Sequence, residues 1–182
     1  YVMIISTSAG LWRYNIGDTI KFTNKYPFRV IVSGRIKHFI SAFGEHVIVS
    51  EVEESLRDAI EKTKDIIRVK EFTVAPQITP EAGLPYHEWF IEFETPPKEK
   101  ETFASNIDFA MKSKNIYYND LVEGKILRPL VITVIEKNGF QKYMKSIGKL
   151  GGQNKVPRVS DDRLIADSLE KYIINSVSYT HL

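Results

Sequence analysis

The sequence predicts an α+β chain, a small β unit followed by a mixed sheet with helices, and three observations lead there. Short apolar strands separated by turn residues fill residues 1–33. A strongly signalled amphipathic helix follows near residue 50. Beyond it, strands and helices alternate irregularly with hairpin-like strand pairs, which favours α+β over a doubly wound parallel sheet.

In chain order, YVMIIST, DTIKFT and FRVIVS read as strands, with LWRYNIGD and NKYP between them as turn and loop. After Gly34 comes the strand-like HFISAF. Ser50 with Glu53 three residues on reads as a capping box, and Val49, Val52, Leu56 and Ile60 follow at helical spacing. IIRVKEFTVA and HEWFIEFET are the next strands, joined by the Pro-rich QITPEAGLP, and the second alternates with Trp89, Ile91 and Phe93 on one face. A helix is expected over residues 99–114, with Phe103, Ile107 and Met111 on one stripe. ILRPLVITVIEK is a further strand in which Pro129 marks an edge or a strand start. A short helix around residues 140–147, the loop KLGGQNKVPR and a last helix opening at Ser160, with Asp161 and Asp162 in its first turn, complete the series.

The 182 residues, 43% hydrophobic and 26% charged, suit a chain that buries a sizeable core. A net charge of +2, with both signs mixed along the chain, points to neither nucleic acid nor an acidic membrane as partner. The chain has no cysteine, so disulfides and thiolate chemistry are excluded; a cytoplasmic location is the expectation. No apolar run approaches the ~20 residues of a membrane span. An apolar strand opens the chain with no methionine before it, so the expectation is the C-terminal part of a longer protein. Residues 174–182 read as an unrelated or disordered tail.

Three segments can carry chemistry. In LWRYNIGD, Asp18 follows a Gly turn; its two acceptor oxygens suit a pair of ribose hydroxyls, although Gly-Asp is also an ordinary turn dipeptide. At Gly34, Arg35 offers a fork of donors for hydroxyls or phosphate, and Lys37 stands where the β unit passes into the next module; a solvated basic turn is the alternative. In GGQNKVPR, Lys155 lies between two glycines and a Val-Pro exit that is held extended, so it is either a lysine delivered to a phosphoryl group or a solvated linker residue. STSAG lacks the phosphate-loop spacing and reads as a turn. The histidines at 38, 46, 87 and 181 have neither ligand spacing nor triad partners, and Glu51, Glu53 and Glu54 read as helix-start residues. Lys137, Lys142, Lys145 and Lys149 read as a solvated basic face, the alternative being a group that raises the potential near a nucleotide.

Together these segments resemble the C-terminal part of adenylate-forming enzymes. GRIKHFISAFGEHVIVSEVE, residues 34–53, matches the superfamily's hinge motif, and YNIGD matches its Y-R-x-G-D. LWRYNIGD with QNKVPR looks most like the plant auxin- and jasmonate-conjugating acyl-acid amido synthetases and their bacterial relatives. The resemblance runs from about Ser8 to Ile173 and departs at Asn15, where the superfamily usually has arginine, and at the N-K-V-P-R setting of Lys155. It implies that residues 1–33 end a large N-terminal adenylation domain, 34–37 form a hinge and 38–173 form a mobile C-terminal α+β domain. It also implies Asp18 and Arg35 on the ribose, Lys37 as pivot and Lys155 as the catalytic cation. The reaction it implies takes ATP with Mg²⁺, a small carboxylic acid and an amino acid or other amine, with no nucleic acid and no membrane. The chain's own missing N-terminal domain is a required partner, so the chain alone is expected to be inactive. Acyl-CoA ligase chemistry and a non-catalytic α+β interaction domain are the alternatives.

Overall fold

A computed structural model describes residues 1–35, 39–151 and 154–174, with the backbone alone at residues 34 and 35. The first strands, β1 (Val2–Ile5), β2 (Tyr14–Lys25) and β3 (Phe28–Arg35), form an antiparallel sheet in that order. β2 starts earlier than the expected Asp18, because Tyr14 and Asn15 pair with Ile5 and Ile4. Half of the expected turn is therefore strand. Tyr1, Phe22 and Phe28 meet edge to face along the sheet, with ring centroids 5.4 and 5.9 Å apart.

A two-residue pair, β4 (Phe39–Ile40) with β5 (Val47–Ile48), leads into α1 (Val49–Lys62). The expected Ser50–Glu53 box is corrected here. The cap is Ile48, which has no side-chain acceptor, and only the reciprocal half of a box forms, with the Glu51 carboxylate accepting from the Ile48 N–H at 3.1 Å. The cap thus lies two residues before Ser50, and Val49 is already the first helical residue.

The main sheet has the order β6 (Arg68–Gln77), β7 (Tyr86–Thr95), β8 (Val131–Ile135); β6 and β7 are antiparallel and β7 and β8 parallel. Pro129 stands just before β8, which occupies a sheet edge. On one face Phe72, Val74, Trp89, Ile91 and Ile132 pack against α1 and against α2 (Lys100–Lys114), whose Phe103, Ile107 and Met111 are buried as the periodicity predicts. Phe72 and Trp89 stack nearly parallel at 5.9 Å, an arrangement worth about 1 kcal/mol beyond its area. On the other face Ala75, Phe90 and Ile135 meet Phe140, Tyr143 and Met144 and the last helix.

Sequence reading missed α3 (Ile116–Glu123). Asn115 carries the signal: its backbone N–H ends α2 on the Met111 carbonyl at 2.9 Å, and its side chain caps α3, accepting from the Tyr118 N–H at 2.8 Å while donating to Glu51 and to the Glu45 carbonyl, each at 3.0 Å. α4 (Gly139–Ser146) closes in a Schellman motif, Lys149 N–H to Met144 C=O at 2.9 Å and Gly148 N–H to Lys145 C=O at 3.1 Å, with Gly148 at positive φ. The last helix, α5 (Leu164–Leu169), starts four residues later than Ser160. Residues 158–160 are taken up by hydrogen bonds to Val74, and Asp162 accepts from the Leu164 N–H at 3.0 Å. A 3₁₀ turn, Glu170–Tyr172, follows, and Ile173 bridges Ile135 where the described chain ends.

Glu45, with no exposed surface, accepts from the Phe43 N–H at 2.8 Å and meets the buried His87 Nε2 at 2.8 Å. Burial pushes its carboxyl up, but the His87 contact and backbone donors outweigh that and leave it below its ordinary value of 4.5. A depressed carboxyl stabilises the fold fully above that value and loses the contribution as pH falls through the folded pKa. Glu45→Ala is therefore expected to cost about 3 kcal/mol at pH 7, with the gap from the parent narrowing below pH 4.5. Denaturation midpoints at the two pH values check this, and a pH-independent gap would contradict it.

Candidate functional site

Asp18 owes its setting to a bulge. β1 and β2 pair Ile4 with Asn15 but Val2 with Thr19, so β2 carries extra residues between these points. Gly17 takes φ +82° inside the bulge, and Asn15 Oδ1 accepts from the Gly17 N–H at 2.9 Å. Asn15, where an arginine was expected, thus fastens the turn that presents Asp18. On the other side of β2, Asp18 lies directly opposite Arg35 in the β2–β3 register. Two residues selected separately from the sequence are cross-strand neighbours in the backbone. Lys37 lies outside the described residues, as does the tail from residue 175 onward.

Lys155 stands on a different part of the fold. It is exposed, next to a Val156 that is buried against Phe140 and Met144. The exit expected to be stiff because of Pro157 is held mainly by the sheet. Thr73 Oγ1 donates to the Pro157 carbonyl at 2.7 Å, Val74 N–H to the Arg158 carbonyl at 3.0 Å, and Ser160 N–H to the Val74 carbonyl at 2.9 Å. Val159 forms a parallel bridge with Val74 and so continues the sheet beyond β6. Among the described residues no carboxylate pairs with Lys155.

A cleft of about 400 Å³ opens beside this lysine, lined by Lys70, Glu92, Phe140, Met144 and Val156 as well as Lys155. Its floor is a satisfied polar cluster. A β6 bulge at Lys70 brings the ammonium to 2.9 Å from the buried Glu92, and Glu92 also accepts from the Asn138 N–H at 2.7 Å. Asp18 is not among the described residues that line the cleft, so the described site residues fall in two places, a backbone strand pair at the bulge and a lysine at a cleft. Sequence reading missed Lys70, Glu92 and the Asn138 turn, because their pairing joins residues far apart in the chain.

The basic face is solvated as expected: Lys137, Lys142, Lys145 and Lys149 are all exposed, and Lys142 meets the surface carboxylate of Glu136 at 2.6 Å. His87, expected to have no partner of functional kind, is used in the buried Glu45 pair. Among the described residues no group of three or more His, Asp or Glu side chains is placed to hold a metal ion. Among them, too, no helix is long and apolar enough to cross a membrane.

Residues 50–164 match the GH3 family C-terminal domain and residues 1–35 the GH3 family central domain. Among curated proteins the chain is 25% identical to the indole-3-acetic acid-amido synthetase GH3.10 of Arabidopsis thaliana, over 93% of this chain and 29% of the relative. It is 26% identical to the indole-3-acetic acid-amido synthetase GH3.3 of the same plant, over 97% of this chain and 31% of the relative. The solved GH3.15 acyl acid amido synthetase superposes with a TM-score of 0.74 at 19% identity, over 96% of this chain and 34% of that one. The same enzyme in complex with 2,4-DB gives 0.73 over 96% and 33%. The structural likeness shows the fold, and the chain spans about a third of the length of the relatives it matches.

A Cβ at Gly17 would meet no atom within 4 Å, so only the backbone angle resists a side chain there. Gly17→Ala is expected to weaken the bulge by roughly 1 kcal/mol. Amide hydrogen exchange of residues 15–19 should then quicken about fivefold, and unchanged exchange would show that the turn does not depend on glycine.

Proposed function

The chain belongs to the GH3 family, and from that premise we propose that it forms the C-terminal part of an ATP-dependent acyl-acid amido synthetase. The enzyme adenylates a small carboxylic acid and passes the acyl group to an amino acid or other amine. The observation that carries the proposal is Lys155, an exposed lysine without a carboxylate partner among the described residues, on a loop whose exit is hydrogen-bonded to a buried sheet. A cation mounted in this way can be brought to a phosphoryl centre and is not neutralised by its own fold.

In the first step a carboxylate oxygen of the acid attacks the α-phosphorus of ATP. The bond from that phosphorus to the bridging oxygen breaks and pyrophosphate leaves. Negative charge grows on the phosphoryl oxygens in the transition state, where the Lys155 ammonium is worth most. Asp18 accepts from the ribose hydroxyls and Arg35, opposite it on β3, donates to the nucleotide. In the second step the amine nitrogen attacks the acyl carbon, AMP leaves with the bonding electrons and the amine gives up a proton. That step needs Lys155 withdrawn and another surface presented, which rotation about residues 34–37 provides. A charged pivot, Lys37, stays hydrated in both positions. Mg²⁺ enters with the nucleotide whose phosphates it accompanies. A cytoplasmic setting belongs to the same proposal.

In the parent protein Lys155→Ala is expected to lower the adenylation kcat by about 10²-fold while changing the KM for ATP little; an unchanged rate would remove Lys155 from the mechanism. Lys37→Pro is expected to spare adenylation and slow amide formation, because proline fixes φ where the chain must turn. Pyrophosphate release and product yield measured separately test the pair, and equal rates in both steps would contradict the hinge.

A further inference from the structure

We propose that Arg158 is a positioning residue for Lys155, locking the lysine's loop to both β6 and α1. The inference rests on the reading of Lys155 given above. Arg158 is half-buried, and its guanidinium holds two carboxylates from different elements. Nη1 pairs with Glu71 of β6 and donates to the Phe72 carbonyl at 3.1 Å, while Nε lies 3.4 Å from Glu53 of α1. The same group covers the Phe72 ring, 4.5 Å from its centroid. A planar fork with fixed donors can satisfy these directions together, which a lysine cannot.

The lock is transmitted to Lys155 because the two intervening residues have no freedom to absorb a displacement. Val156 is buried, Pro157 has its φ fixed by its ring and its carbonyl taken by Thr73, and the Arg158 carbonyl accepts from Val74. With Val156 packed into the core and the Pro157 carbonyl held by Thr73, a shift of the Arg158 anchor is passed along this short segment to Lys155. Glu53 adds a second consequence. It lies in the first turns of α1, the helix that follows the β4–β5 pair after residues 34–37, so the same side chain links the lysine's loop to the proposed hinge side of the domain.

The test uses the parent protein and both half-reactions. Arg158→Gln should lower the adenylation kcat on the order of 10²-fold, with the KM for ATP changed by less than about twofold. Amide formation from supplied acyl adenylate should stay within about twofold of the parent. In a Lys155→Ala background the same change should cost almost nothing further, because the two residues act as a unit. Equal slowing of both half-reactions, an unchanged adenylation rate, or losses that multiply in the double variant would each overturn the inference. If Arg158→Gln fails to fold, Glu71→Gln removes one charged partner and keeps the arginine. It should give the same split with about a tenfold loss, and its absence would equally overturn the inference. An adenylation rate unaffected by Lys155→Ala would instead sink the functional reading; a rate lowered by Lys155→Ala but not by Arg158→Gln would sink only the positioning role.

Discussion

The burial of β7 on both faces is the constraint from which the rest of the C-terminal domain follows. Trp89 and Ile91 point to one side and Phe90 to the other, and none of the three has exposed surface. A strand covered in this way needs two layers of helix, and it has them: α1 and α2 on one side, α4 and α5 on the other. It also forces charged residues inside. Glu88 and Glu92 share the face of Phe90 and are buried, so each needs a cation. Arg163 meets Glu88 at 3.0 Å and Lys70 meets Glu92 at 2.9 Å. The Lys70 pair builds the floor of the cleft beside Lys155, so the packing of the sheet and the shape of the candidate site have one cause.

The edges of a three-stranded sheet are the second requirement. β6 and β8 would each leave a row of unpaired backbone groups, and short segments from the end of the chain cover them. Val159 bridges Val74 on one edge and Ile173 bridges Ile135 on the other. The first of these bridges, together with the Arg158 contacts, holds the exit of the Lys155 loop. Edge protection and the placing of a catalytic candidate are thus one set of hydrogen bonds.

Much of this was legible in the sequence wherever the determinants are local. The alternation of Trp89, Ile91 and Phe93 gave the correct face, and the stripe of Phe103, Ile107 and Met111 gave α2. Asp18, Arg35 and Lys155 were visible as Gly- and Pro-framed polar residues. What stayed hidden depends on contacts between distant residues. Nothing in HEWFIEFET says that Glu88 and Glu92 are buried while Glu94 is exposed, since the cations that pair with the buried two are 75 and 22 residues away. The capping box misled because Ser50 and Glu53 have the right spacing, while burial of Val47 and the Glu51 contact set the actual start of α1. Asn115 was the one local signal available and unused. The pairing of Asp18 with Arg35 requires the β2–β3 register, in which bulges shift the alignment that simple strand counting would give.

In the proposed reaction this fold brings a lysine to the α-phosphate of ATP while a carboxylic acid attacks it. The most direct measurement is pyrophosphate release by the parent protein with ATP, Mg²⁺ and a panel of carboxylic acids, followed by mass spectrometry after amino acids are added. The account predicts release that depends on a particular acid and an amide product when an amine is supplied. Release independent of any acid, or an acyl adenylate that no amine consumes, would contradict it.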